Sequence, residues 1–238
     1  MYWPIISAIF FSPWKTTMAT YDLEEQEQLD ELKTWWKMYG NLVTGVLVAV
    51  ALAVAGWQGW NWWQRQQSVQ ASAIFSSLQT AAAQKDAKRA RELAGELIDK
   101  YSITAYAGMG ALLAARAQVD AGDAKNARLQ LTWAAENAKD PGLRELARLR
   151  LAAVMLDEKA YDDALKQLAA EPAAGFAPRF ADLRGDVFAA QGKTAEARNA
   201  YDLALQKFDA LSKDDEARQR GGYREVIQSK RDALGAAK

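Results

Sequence analysis

The chain has no cysteine and no histidine among its 238 residues. Without a thiol there is no disulfide and no thiolate nucleophile; without an imidazole, the side chain that ordinarily titrates near neutral pH is missing. The usual ligand sets for zinc, haem and iron–sulfur clusters are excluded with them, so no metal or cofactor is expected. An excess of one charge is lacking too. Thirty Lys and Arg balance thirty Asp and Glu, which argues against nucleic acid as a partner, because such a face is normally strongly basic. No Gly-rich phosphate loop or nucleophile elbow occurs, since GDAK and GKTAE fall in turns between helices and GKT has no glycine at the upstream spacing of a P-loop. The one dense acidic group, Glu24, Glu25, Glu27, Asp30 and Glu31, reads as a solvated helix face and not as an acid–base pair in a cleft. The chain is not expected to be an enzyme.

What is present is apolar. Half the residues are hydrophobic, enough to bury a sizeable core in one or two domains. From Leu42 to Trp60 the chain reads LVTGVLVAVALAVAGWQGW, with no charge. As a helix this covers about 28 Å, close to the roughly 30 Å hydrocarbon layer of a bilayer. A buried core helix would have the same composition, but the flanks argue against it. Trp35, Trp36 and Tyr39 precede the run and Trp57, Trp60, Trp62 and Trp63 end it, and indole rings favour the headgroup level, where the apolar body and the N–H are both satisfied. The segment is expected to be a transmembrane helix over 41–63 in contact with the lipid bilayer. Lys33 and Lys37 precede it while Arg65 stands alone after it, which predicts a cytoplasmic N-terminus and an exported C-terminal domain. Gly45, Ala49 and Ala53 recur every four residues and form a candidate helix-packing face, unless the span simply lacks large side chains there. Residues 1–17, interrupted by Pro4 and Pro13 and without a basic n-region or cleavage site, are expected to be an extension ahead of a true start at Met18. An acidic cytoplasmic tail would then occupy 18–40.

Beyond Trp63 the sequence is alanine-rich, broken by short punctuators (GD, DPG, EK, EP, GK), and nothing alternates as a strand would. The predicted fold is all-α. Three stretches repeat: ALLAARAQVDAGDAKNARLQLTWAAE, ELARLRLAAVMLDEKAYDDALKQLAAEP and FADLRGDVFAAQGKTAEARNAYDLALQKF. In each, a small residue (Ala115, Ala152, Gly185) is followed by a turn (Gly122, Lys159, Gly192) and then by an alanine (Ala127, Ala164, Ala197). One period further back lies Ala90. Small side chains are what two helices need where they cross closely. The pattern resembles tetratricopeptide repeats, with Gly185, Phe188, Ala197, Tyr201 and Ala204 matching best and Glu171 departing from it. The expectation is a helical-hairpin repeat solenoid over 64–220, closed by a capping helix over 221–238 that places Tyr223, Val226, Ile227 and Leu234 on one face.

Carried over position by position, the repeat resemblance implies a concave, protein-binding face. Its residues would be Met109, Leu112, Arg116 and Val119 from one repeat, Leu146, Leu149 and Leu156 from the next, and Arg179, Asp182 and Asp186 from the third. The plainer alternative is that Leu149 and Leu156 are core and that Arg116 and Arg179 are solvated charges.

The whole stretch from Met18, MATYDLEEQEQLDELKTWWKMYGNLVTGVLVAVALAVAGWQGWNW, together with ADLRGDVFAAQGKTAEARNAY near the end, resembles the ancillary SecYEG translocon subunit family, the YfgM-like proteins. That resemblance implies a Gram-negative inner-membrane protein with a periplasmic repeat domain. It also implies three partners: the SecYEG translocon, a membrane-anchored periplasmic chaperone and exported client proteins. A scaffold for cell-envelope assembly, unconnected with the translocon, would use the same solenoid physics.

Overall fold

A computed structural model describes residues 21–211 and 221–236, with side chains for 29–211 and 222–235. The expected extension 1–17 and the start of the acidic tail lie outside the described residues. Among the described residues the structure is all helix: α1 (Tyr21–Ala83), α2 (Ala87–Tyr101), α3 (Ala105–Asp120), α4 (Ala124–Asn137), α5 (Pro141–Asp157), α6 (Tyr161–Leu168), α7 (Ala177–Ala190), α8 (Thr194–Leu211) and α9 (Gly221–Ala236). The chain divides into two units, 1–61 and 62–238.

The described part of the first unit is helix. Its large apolar side chains, among them Leu42, Leu47, Leu52 and Trp57, are exposed. So many exposed aliphatic groups along one uninterrupted helix would be costly in water, and the segment is long and apolar enough to cross a membrane.

In the second unit, four turns punctuate the helices with one backbone device. Lys85, Gly122, Lys159 and Gly192 all take left-handed φ values, of 59°, 78°, 62° and 73°. After each, the next N–H reaches five residues back: Asp86 to Ala81, Asp123 to Gln118, Ala160 to Met155 and Lys193 to Phe188, at 2.8–2.9 Å. This is the Schellman helix stop, which satisfies carbonyls that the helix end would otherwise orphan. New helices start on side-chain caps where the sequence supplies one: Asp86 accepts from Arg89 N–H, Asp123 from Asn126 N–H and Asp140 from Leu143 N–H.

The crossing residues are where the repeat pattern puts them. Ala90, Ala127, Ala164 and Ala197 are each 0% exposed, and Ala115 and Ala152 are buried beside them. At Gly185 the helices come so close that a Cβ would lie 2.5 Å from Cε1 of Tyr201. The core runs as three linked clusters: Leu78, Leu93 and Leu97 joining α1, α2 and α3; Leu131, Leu151, Leu168 and Phe180 through α3 to α7; and Tyr201, Leu205 and Ile227 joining α7, α8 and α9. Successive helices from α2 to α9 pack on one another, and α3, α5 and α7 also touch in series. On α9, Tyr223, Ile227 and Leu234 meet the core while Val226 is exposed, because spacings of four and seven share a helical face and a spacing of three from Tyr223 drifts off it.

Candidate functional site

The first helices of the hairpins carry the candidate residues. On α3, Leu112 is 4% exposed and belongs to the core, and Met109 is partly covered. One and two turns further on, Arg116 and Val119 are open to solvent, Val119 at 43% exposure. They edge a hollow of about 260 Å³ between α3 and α5, bounded also by Asp120, Arg150, Val154 and Asp157. A second hollow, of about 370 Å³, lies on the other side of α3 against Gln79, Ala82 and Ala83 of α1, and Arg116 and Asp120 line both. The two form a trough across the first helices near the turn end of the array.

The trough has an apolar floor, of Ala115, Leu131, Ala153 and Val154, and a charged rim. Arg116 Nε stands 3.6 Å from Asp120 Oδ2, an exposed pair of little stabilising value. Arg150 donates to the Leu112 carbonyl at 3.5 Å. Burial, and then the like charge of Arg116, hold Arg150 below the ordinary arginine range, though a guanidinium so placed stays protonated at physiological pH. Planar forks of N–H donors above small apolar side chains suit a polypeptide, whose carbonyls and carboxylates accept hydrogen bonds while a side chain fills the floor. Among the described residues, no group of three or more acidic side chains is placed to hold a metal ion.

On α5, Leu146, Leu149 and Leu156 are half-buried against the central core. The α7 residues meet another helix. Asp182, 7% exposed, accepts from Tyr223 Oη at 2.9 Å and Lys230 Nζ at 3.0 Å. Asp186 accepts from Tyr201 Oη and Lys230 Nζ, both at 2.8 Å. Arg179 lies over the Tyr223 ring, 5.9 Å from its centre. Lys230 and Tyr223 belong to α9, so Arg179, Asp182 and Asp186 face the closing helix; α9 supplies the partners that a bound chain would have supplied. Burial pushes Asp182 upward, against the downward pull of Lys230.

Arg150, Ala153, Val154 and Asp157 were not among the sequence-derived candidates. A signal existed: they follow Leu146 at helical spacing along one face of α5. Gly45, Ala49 and Ala53, the candidate packing face, are exposed on α1, and a Cβ added at Gly45 meets nothing within 4 Å.

A family profile, the tetratricopeptide repeat-like domain, matches residues 33–236. Profile, hairpins, repeated turn and buried crossing alanines define a tetratricopeptide-like repeat protein. Full-length relatives narrow this further. An ancillary SecYEG translocon subunit of Neisseria gonorrhoeae is 33% identical over 215 residues, 89% of this chain and 98% of the relative. Proteins of the same name from Haemophilus influenzae and Escherichia coli are 31% and 29% identical, over 80% and 79% of this chain and 93% and 90% of the relatives. The chain belongs to the ancillary SecYEG translocon subunit family.

Proposed function

We infer that the protein is a single-pass inner-membrane interaction module: the α1 span anchors it beside the SecYEG translocon, and the repeat domain, in the periplasm, holds newly exported chains and a periplasmic chaperone. The observation that carries this reading is the trough at Arg116, Val119 and Arg150, open to solvent and furnished for a polypeptide. The names of the relatives support the translocon as the site of action. Lys33 and Lys37 ahead of the span support a cytoplasmic N-terminus. A tetratricopeptide-like repeat scaffold supports a binding role.

Gly45, Ala49 and Ala53 present a small-residue face that lets a neighbouring transmembrane helix approach closely. The test pairs two positions in native membranes. A photo-crosslinking residue at Val119 is expected to capture exported chains or a periplasmic chaperone, and leucine at positions 45, 49 and 53 is expected to reduce co-purification of the channel. Capture confined to envelope-building enzymes, with undiminished channel co-purification, overturns the reading.

A further inference from the structure

The repeat unit has two unlike ends. One carries the left-handed turns, and the other carries the loops between hairpins, the first two being 102–104 and 138–140. Tyr101 Oη donates to Gln70 Oε1 at 3.1 Å and so pins the end of α2 beside the stretch of α1 that follows Trp63. The two loops close around Gln64 and Ser68 of α1, and with Ile103, Thr104, Lys139 and Asp140 they bound a hollow of about 450 Å³. Helical rise puts Gln64 about 1.5 Å and Ser68 about 7.5 Å beyond Trp63 along the axis. The headgroup layer of one leaflet is roughly 5–7 Å thick. The loop end therefore lies within about one headgroup-layer thickness of Trp63 along the helix axis, and Trp62, within this same unit, is 68% exposed.

The chemistry of that edge agrees with its depth. Ile103 is an exposed aliphatic side chain at a loop tip, Lys139 is an exposed cation bounding the same hollow, and Arg65, next to Gln64 in the chain, is exposed too. Arg144 donates to the carbonyls of Ala138 and Lys139, which adds a positive charge behind the second loop. The acid there, Asp140, is engaged in capping α5. An apolar tip among cations, next to an indole, matches an anionic lipid surface, where each basic side chain gains from the negative headgroups.

We propose that the loop edge of the repeat unit, Ile103 with Lys139 and Arg65, rests on anionic phospholipid headgroups at the level of Trp62. This goes beyond translocon association, because it fixes which edge of the array meets the membrane. Arg116 follows Ala105 by eleven residues on α3, so the trough would be held about 16 Å further out, in water.

The absence of cysteine makes the test clean. The full chain is reconstituted into phosphatidylethanolamine–phosphatidylglycerol vesicles with one nitroxide label, at Ile103→Cys, or at Lys125→Cys beside the far turn. The label at 103 is expected to show a several-fold higher ratio of oxygen to aqueous nickel-complex accessibility than the label at 125, and to lose much of that difference in the Arg65→Glu/Lys139→Glu background. Equal ratios at the two positions overturn the proposal. So does a difference that the charge reversals leave untouched. Carbonate extraction of the same vesicles reads only whether the span is inserted, and circular dichroism reads the fold, so failed reconstitution is recognised separately.

Discussion

Replacing Gly185 by alanine tests the repeat geometry most directly. In an exposed helix interior the exchange would favour folding by about 1 kcal/mol. Here the new Cβ would stand 2.5, 2.6 and 2.9 Å from Cε1, Cδ1 and Cζ of Tyr201. The ring cannot easily retreat: Tyr201 is 3% exposed, and its hydroxyl is held by Asp186 at 2.8 Å. Overpacking of this kind costs about 1–3 kcal/mol, and a lost hydrogen bond to a carboxylate adds about 1.5–3 kcal/mol if the ring swings away. Set against the helix gain, the net loss is about 2 kcal/mol, or roughly 4–8 °C in a unit of this size. Gly95→Ala is the internal control, because its Cβ meets nothing within 4 Å; it should raise stability by up to about 1 kcal/mol. Urea melts of the full chain in lipid nanodiscs, followed by circular dichroism, measure both. In a Tyr201→Leu background the penalty at 185 should shrink, since the ring it strikes is gone. A Gly185→Ala midpoint that rises as far as that of Gly95→Ala would refute the close crossing of α7 and α8.

Lys230→Met leaves Asp182 buried without its cation; a loss of about 2–3 kcal/mol is expected, read as faster hydrogen exchange in α9 with α3 and α4 unchanged. The same cluster predicts sensitivity to alkali. Burial lowers Lys230, but the carboxylates of Asp186 and Asp182 outweigh it and raise its folded value above the ordinary 10.5. Its contribution is thus complete below that value and lost as pH climbs through the folded one. Burial first and neighbouring carboxylates second also raise Tyr201 and Tyr223 above 10.0, so only the unfolded chain ionises them there. Both effects remove stability in the same direction, and the urea midpoint should fall as pH rises above about 10, less so in Lys230→Met. Finally, Lys159→Gly relieves a left-handed lysine at φ 62° and should stabilise by about 1 kcal/mol, while Gly192→Ala, at φ 73°, should cost a similar amount; thermal melts distinguish the signs.

The repeat framework was legible because its signals are local and steric. Small residues at 115, 152 and 185, turns at 122, 159 and 192 and alanines at 127, 164 and 197 fix where helices stop and cross, and each acts within its own hairpin. Lys159 shows the limit of residue type alone: lysine gives no hint of positive φ, and its position in the period does. The charged face was less legible. Asp182 and Asp186 sit at positions that the pattern assigns to a groove, yet their partners Lys230 and Tyr223 are more than forty residues away, and no periodicity links a carboxylate to a cation on another helix. Leu112 and Arg116 lie one turn apart on α3, but one is core and the other is rim, a difference set by how far α5 overlaps α3. Arg150 is illegible in the sequence for the same reason, since its place beside Arg116 in the hollow depends on how α3 and α5 pack.

The two ends of the array are closed by different means. Each hairpin leaves the flank of its first helix to be covered by the next, and the last must be covered by something that is not a repeat. Here α9 fills that place with a polar clamp as well as an apolar stripe, Lys230 between two carboxylates and Tyr223 hydrogen-bonded to one of them. At the other end α1 supplies Leu78 and Ala81 to the core of the first hairpin, so no separate N-terminal cap is needed. Among the described residues no helix covers the trough across α1, α3 and α5, where Arg116, Val119 and Arg150 stand. A polypeptide bound there would meet two guanidiniums fixed on packed helices, and the cost of ordering would fall mainly on the polypeptide.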